Sequence, residues 1–194
     1  NCNNLVILDL THNELKGLDL SNLSNLQAIY VSDNTFSAES PLKIGKNKPN
    51  LTILEMNTIE HLDPEFNISD YPNLMSFDGY HNKGLKSIDP SGCPNLMRLT
   101  VDVTDIESVD VSKNPYLTIL NVSNTKVTSL DLSKNPYLLE LYCDHYGSYN
   151  YEHKISELDI SNNTKLKYLF CAGNKLTNLD ISKCPELITV AANN

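Results

Sequence analysis

A fixed repeat constrains the fold of this chain more than any other feature. Residues 117–137 read LTILNVSNTKVTSLDLSKNPY, with two short apolar runs separated by polar turns, and the pattern begins again at Leu138. A repeat of this length cannot bury its apolar side alone, so successive repeats must stack on one another. The first leucines of the repeats, spaced 21 to 28 residues apart, are Leu5, Leu26, Leu51, Leu74, Leu96, Leu117, Leu138, Leu166 and Leu187.

Each repeat predicts two extended segments. The first run has the form LxxLxL, whose centre alternates as a strand does, so its apolar residues form columns in the core of a coil. The second run carries an acid between two apolar residues, which predicts a second strand on the opposite face with the acid pointing outward to solvent. The acids of this column are Asp19, Asp63, Asp89, Asp110, Asp131, Asp159 and Asp180.

The repeat also has polar and cysteine columns with structural roles. Asparagine follows the first run at Asn13, Asn34, Asn82 and Asn174, where a polar side chain can bond the backbone groups of a buried turn. Cys143 and Cys171 lie in an apolar column and are expected to act as small core residues. Three further cysteines occupy a turn position that other repeats give to asparagine, namely Cys2, Cys93 and Cys184.

The repeat resembles the short leucine-rich repeats of internalin-like and Bacteroidetes surface proteins of bacteria. Residues 166–186, LKYLFCAGNKLTNLDISKCPE, match that repeat most fully, and the resemblance covers essentially the whole chain. It implies a right-handed leucine-rich-repeat coil, mainly β, with parallel strands on both faces and little helix. We therefore expect one repeat-solenoid domain over residues 1–194, and because neither end resembles a polar cap, a fragment of a longer chain.

Composition limits the classes of partner. The 194 residues carry a formal net charge of −9, which disfavours nucleic acid and anionic membranes as partners. No apolar run is long enough to span a bilayer. Zinc-protease, phosphate-loop, nucleophile-elbow and CxxC motifs do not occur, so the sequence predicts no enzyme activity, no cofactor and no metal site.

Binding function is expected on the outward face of the first strand, where residues vary from repeat to repeat. An aromatic cluster is predicted near an insertion in the seventh repeat, and Asp144 lies beside it. Its rings either form an exposed binding patch or pack on one another as a small satellite core. The aromatic residues are Tyr142, Tyr146, Tyr149, Tyr151, Tyr168 and Phe170.

An acidic cluster is expected on the same face. Glu55 and Asp78 should be neighbours in one column, with Tyr80 and Asp102 nearby. A cationic partner or a bound calcium ion is one interpretation of the stacked charges. The other is an ordinary surface ion pair between Asp78 and Arg98, which lies diagonal to it.

Three functions remain open from sequence. The first is a non-catalytic module that binds another protein, of the host or of a bacterial surface, through the strand face. The second is glycan binding through the same tyrosines, and the third is a structural subunit or spacer of an outer-membrane complex. The resemblance to surface proteins implies an extracellular or cell-surface location, attached to the outer membrane or secreted.

Overall fold

A parallel sheet of nine short strands runs the length of the molecule. The computed structural model describes residues 2–46, 48–146 and 154–193. Each repeat contributes one three-residue strand, and each strand pairs in parallel with the strand of the next repeat. The strands, in sheet order, are β1 (Ile7–Asp9), β3 (Ala28–Tyr30), β5 (Ile53–Glu55), β6 (Ser76–Asp78), β7 (Arg98–Thr100), β8 (Ile119–Asn121), β9 (Glu140–Tyr142), β10 (Tyr168–Phe170) and β11 (Thr189–Ala191).

The leucine columns form the core, as the repeat predicts. The central residue of each strand from β3 to β10 is fully buried, from Ile29 to Leu169, and so are the repeat-start leucines from Leu26 to Leu166. The strand register places these side chains directly above one another, for example Leu120 beside Leu141. Burying a leucine in this way contributes about 1.5–3 kcal/mol, so the columns supply most of the driving force for stacking. The fold is the predicted parallel-strand solenoid.

Strands on the second face are restricted to the first repeats. Only β2 (Leu18–Asp19) and β4 (Leu42–Lys43) pair there among the described residues, with an isolated bridge from Leu42 to Leu62. The β4 segment lies in a stretch, residues 37–50, whose sequence suggests an irregular loop. In the other repeats, as far as the structure describes them, the expected second strands do not form.

The turns after the second runs are closed by short-range hydrogen bonds, in the first repeat, where β2 forms, as well as in later repeats. In the fifth repeat, the amides of Asn114 and Leu117 bond carbonyls three residues back, Val111 and Asn114, at 3.0 and 3.1 Å. These N–H groups are therefore used within one repeat rather than between repeats. The acids of the second run also bond locally, because each accepts a hydrogen bond from the amide two residues ahead at 2.8–3.0 Å.

The third repeat contains a short helix followed by a buried tyrosine. A 3₁₀ helix spans Ile68–Asp70, and the Asn67 side chain caps it by accepting from the amide of Ser69. Tyr71, which follows it, is buried, and its hydroxyl donates to the carbonyl of Gly45 at 3.2 Å.

The described part of the chain contains no helix long and apolar enough to cross a membrane.

Candidate binding face

The outward side of the nine-stranded sheet, which we call the strand face, carries two columns of variable residues. Strand alternation directs the third residue of each strand outward, opposite to the buried central residue. The residue two positions further on lies in the second column. In register from β5 to β10, the first column is Glu55, Asp78, Thr100, Asn121, Tyr142 and Phe170, and the second is Asn57, Tyr80, Asp102, Ser123, Asp144 and Ala172.

The aromatic cluster forms in part as the sequence predicts. Tyr142 and Phe170 stack with ring centroids 5.0 Å apart and planes 8° from parallel, and both are half-buried. The Tyr142 hydroxyl donates to Glu140 Oε2 at 2.9 Å. Burial, followed by this hydrogen bond to a carboxylate, raises the pKa of Tyr142 to about 12. The two rings are therefore fixed against each other and still partly accessible.

The remaining members of the aromatic cluster are placed less centrally. Tyr168 is half-buried and lies in register with Glu140, whereas Tyr146 is 49% exposed. Tyr149 and Tyr151 lie outside the described residues. Both interpretations of the cluster thus keep some support, since the Tyr142–Phe170 pair is stacked like a satellite core yet open on the strand face.

Asp144 is one of the buried charges of this face. It is 7% exposed, and it accepts a hydrogen bond from the Ser123 hydroxyl in the neighbouring repeat. The backbone carbonyl of Asp144 accepts from the amide of Asn124 at 2.9 Å. Asp144 is thus anchored to the preceding repeat rather than projecting from the strand face.

The acidic cluster also forms. Glu55 and Asp78 are direct neighbours across β5 and β6. Burial raises the pKa of both carboxyls, and for Glu55 the charge of Asp78 raises it further. The expected ion pair is present but long, with Arg98 Nη2 at 4.0 Å from Asp78 Oδ2. An ion pair this long and partly exposed contributes little to stability, so the acids are only weakly compensated.

Tyr80 lies beside this acidic cluster and is 42% exposed. Its amide donates to Asn57 Oδ1 at 2.9 Å and to Asp78 Oδ1 at 3.3 Å. Its ring centroid is 5.6 Å from that of His81. The tyrosine is therefore held at the border of the cluster with its ring available to solvent.

Thr100 and Asp102 occupy the centre of the strand face, between the two clusters. Thr100 is 5% exposed, and its Oγ1 has no hydrogen-bond partner among the described residues. Asp102 Oδ1 is likewise buried without a partner there. Burial, reinforced by the charges of Asp78 and Asp144, raises the pKa of Asp102 to about 6. Sequence places both residues in these columns but gives no sign of their burial.

The described residues offer few side chains that could bind a metal ion together. No group of three or more His, Cys, Asp or Glu side chains there is arranged to hold an ion. His145 Nε2 lies 3.0 Å from the Thr125 carbonyl, and His12 Nδ1 lies 3.2 Å from Asp33 Oδ2. Each of these histidines thus contacts a residue of an adjacent repeat.

An apolar groove along one edge of the sheet escaped the sequence analysis. It encloses about 490 Å³ and we call it the edge groove. Met75 and Met97 are about 40% exposed there, and Tyr116 and Tyr137 stack with centroids 6.3 Å apart. The signal in the sequence is a pair of columns directly before and after the repeat-start leucine. The lining residues are Thr52, Asn73, Met75, Asn95, Met97, Tyr116, Thr118 and Tyr137.

Comparisons with known proteins agree with this architecture. A family model described as Leucine Rich Repeat matches residues 4–26. The functional domain of InlJ from Listeria monocytogenes, which includes a cysteine ladder, is 30% identical with a TM-score of 0.84; the match covers 95% of this chain and 38% of that one. Internalin C2 from Listeria monocytogenes is 18% identical with a TM-score of 0.76, covering 96% of this chain and 80% of that one.

A leucine-rich-repeat protein from Leptospira interrogans is 18% identical with a TM-score of 0.71, covering 93% of this chain and 53% of that one. No curated protein sequence matches the chain. The chain spans well under half of the InlJ domain that it resembles. The chain is a leucine-rich-repeat solenoid, similar in structure to bacterial proteins that include the internalins.

Proposed function

We propose that this chain is a non-catalytic protein-binding module of a bacterial cell-surface or secreted protein, and that its ligand docks on the strand face. The observation that carries the proposal is the stacked, half-exposed Tyr142–Phe170 pair on the same face as the weakly compensated acids Glu55 and Asp78. Large aromatic residues dominate binding energy when a partner desolvates them. The acids steer a basic partner to the face and set its orientation.

The chemistry of the cysteines supports a non-catalytic role. Burial raises the pKa of Cys171 to about 11 and that of Cys93 to about 12. Burial raises the pKa of the Cys143 thiol as well. A nucleophilic cysteine needs a lowered pKa and access to substrate. These thiols have neither, so they act as packing residues.

The secreted or surface location rests on the resemblance to internalins, and a protein partner is favoured over nucleic acid by charge. A chain of net charge −9 repels a phosphate backbone. The partner surface that complements the strand face is therefore basic, with an apolar side chain for the aromatic pair.

Glycan binding is the second candidate, and one observation favours it. Phe170 is stacked by Tyr142 on one side, but the next residue in its column is Ala191, whose methyl group covers little of a ring. Such a ring could stack on a sugar. A structural subunit or spacer is the third candidate, and the apolar edge groove favours it, because assembly contacts of that kind would use an edge of the coil.

The test is to probe an array of purified extracellular proteins and an array of glycans with the wild-type chain and with Tyr142→Ala and Phe170→Ala. The matched control is Tyr137→Ala, a tyrosine that is also stacked and 44% exposed but lies on the edge. We expect a protein ligand whose affinity falls about ten-fold or more in Phe170→Ala and is unchanged in Tyr137→Ala. A ligand found only among glycans would replace the proposal with the second candidate. Loss in Tyr137→Ala alone would move the binding surface to the edge groove.

A further inference from the structure

Two oxygen atoms at the centre of the strand face, Thr100 Oγ1 and Asp102 Oδ1, have no hydrogen-bond partner among the described residues. Asp78, by contrast, accepts from the amide of Tyr80. Carboxylates accept hydrogen bonds and donate none. Asp78 lies beside Thr100 on the neighbouring strand, because the two residues pair in register, and Asp102 follows Thr100 by two residues along the same face. The cation that reaches this group, Arg98, remains 4.0 Å from Asp78 and is 44% exposed. The carboxyls are thus left short of positive charge.

Thr100 provides an independent observation at the same place. Its side chain is on the outward face, since its neighbours Leu99 and Val101 are in the core, yet Thr100 is only 5% exposed. A buried hydroxyl without a partner costs about 1–3 kcal/mol. Its Oγ1 has no partner within the described residues, and neither does Asp102 Oδ1. The two unsatisfied oxygens thus belong to residues two apart along the same face of the sheet.

We propose that this position, formed by Asp78, Thr100 and Asp102, receives the side chain of an arginine from a protein partner. A guanidinium group carries a positive charge and five N–H donors in a rigid plane. It has donors for both carboxylates and for the threonine oxygen. By strand geometry, Asp78 and Asp102 each lie about 5–7 Å from Thr100. The inference rests on the proposed function and names the partner chemistry at its acidic part.

A metal ion and a lysine ammonium fit the position less well. The described residues contain no group of three metal-ligating side chains, and a calcium ion takes about six to eight oxygen ligands. An ammonium has three donors on one atom, so it cannot reach both carboxylates in one plane. The geometry therefore selects a wide, planar cation.

The experiment is an NMR titration of the isotopically labelled 194-residue chain with Nα-acetyl-arginine methylamide as the probe. The comparison probes are the blocked lysine, the blocked citrulline (a neutral isostere of arginine) and calcium chloride. We expect saturable shifts of the amides of Asp78, Thr100 and Asp102 with arginine, at millimolar affinity for a single side chain, and none with citrulline.

Three variants complete the design. Asp102→Asn should weaken arginine binding about ten-fold, and Thr100→Val, which removes only the hydroxyl, about three-fold. Asp131→Asn removes the same charge from the exposed Asp column on the other side of the coil, and it should change binding less than about two-fold. Equal losses in Asp102→Asn and Asp131→Asn would overturn the proposal, because binding would then follow net charge alone.

Equal binding of lysine or citrulline would also overturn it. So would saturation of the same amides by calcium without competition from arginine, which would indicate a metal site. The two proposals fail separately. If arginine does not bind while Phe170→Ala still abolishes capture of a protein, only the arginine proposal is refuted. If arginine binds but no protein ligand is found, only the proposed function is refuted.

Discussion

Buried asparagines support the backbone turns of the middle repeats. Asn114, Asn135 and Asn163 lie in one column, each fully buried. The Nδ2 of Asn135, for example, donates to the carbonyls of Val111 at 3.0 Å and Asn114 at 2.9 Å. Each asparagine thus connects two repeats through groups that would otherwise be buried without partners.

Cysteine performs the same task in other repeats. Cys93 Sγ donates to the carbonyl of Ile68 at 3.0 Å, and Cys184 Sγ lies 3.5 Å from that of Ile160. A thiol is a weak donor, but it fits the same space and contacts the same class of acceptor. The column tolerates either residue because what it requires is a small buried donor.

We predict that Asn135→Ala lowers the free energy of unfolding by about 2–3 kcal/mol, because two buried carbonyls lose their donor. Asn135→Cys should cost only about 1 kcal/mol, since the thiol restores one weak bond. Urea denaturation measures both. The exposed Asn178→Ala serves as the control and should have no effect. Equal losses for alanine and cysteine would contradict the donor role.

A residue with a left-handed backbone follows seven strands of the nine-stranded sheet. The seven residues have φ between 52° and 70°, and in the eighth repeat this residue is Gly173. A Cβ added to Gly173 would lie 2.1 Å from the carbonyl oxygen of His145. Asn124 adopts the same φ region without glycine, so the close approach, and not φ alone, requires glycine at 173.

Gly173→Ala should therefore be destabilising by about 2–4 kcal/mol, through the clash and the backbone shift that relieves it. Asn124→Gly is the matched variant in the same column. It also removes the Oδ1 acceptor of the Tyr146 amide, and it should change stability by about 1 kcal/mol. Thermal or urea unfolding of the two variants distinguishes a steric requirement from a conformational one. A loss in Asn124→Gly as large as that in Gly173→Ala would refute this explanation.

At the scale of the element, two acidic columns behave in opposite ways. The exposed turn acids have lowered pKa values because they accept hydrogen bonds from serine, as Asp110 does from Ser112 and Asp131 does from Ser133. The acids of the strand face have raised pKa values because they are buried. Buried acidic groups with a perturbed pKa are typical of functional surfaces. This contrast favours the strand face over the turns as the binding site.

Asp102 gives this contrast a test. Its folded-state pKa of about 6 lies above the ordinary 3.8, so the folded chain binds a proton that the unfolded chain releases between these values. The stability from this carboxyl is therefore present below pH 4 and lost as pH rises through 6. Asp102→Asn should raise the free energy of unfolding at pH 7 by about 1 kcal/mol, a value reduced because the carboxyl is partly solvated.

Near pH 4 the Asp102→Asn variant and the wild type should unfold at the same urea concentration. Asp131→Asn should instead lower the free energy of unfolding at pH 7, because the lowered pKa of Asp131 means that its charged form stabilises the fold. A gain in Asp102→Asn that persists at pH 4 would mean that packing, and not ionisation, separates the variants.

The features that recur at a fixed offset in every repeat can be predicted from the sequence. Features that depend on the backbone conformation of one repeat cannot. The leucine columns and the stacking of Tyr142 near Phe170 follow from offsets within the repeat. The absence of most second-face strands among the described residues does not follow from the sequence, because the same alternating run lies in repeats with and without a strand there. The burial of Thr100 also could not be read from sequence, since it depends on neighbours in two adjacent repeats.

At the scale of the whole molecule, each repeat contacts only its neighbours. β8 pairs with both β7 and β9, whereas β1 pairs with β3 alone and has an exposed Ile7 at 61%. Stability in such a coil is approximately a sum of repeat and interface contributions. Local opening is therefore expected to be easiest at the two ends of the sheet and hardest in its middle.

One column offers a matched pair for this expectation. Leu120 in β8 is fully buried, and Leu8 occupies the equivalent position in β1 but is only partly buried. Leu120→Ala should lower the free energy of unfolding by about 3 kcal/mol, and Leu8→Ala by about 1 kcal/mol. Leu8→Ala should increase the hydrogen-exchange rates of the amides in β1 and β3 only. Leu120→Ala should accelerate exchange across the central strands, because it weakens two interfaces at once. If Leu8→Ala accelerated exchange as far as β10, the coil would unfold as one cooperative unit and the nearest-neighbour description would not hold.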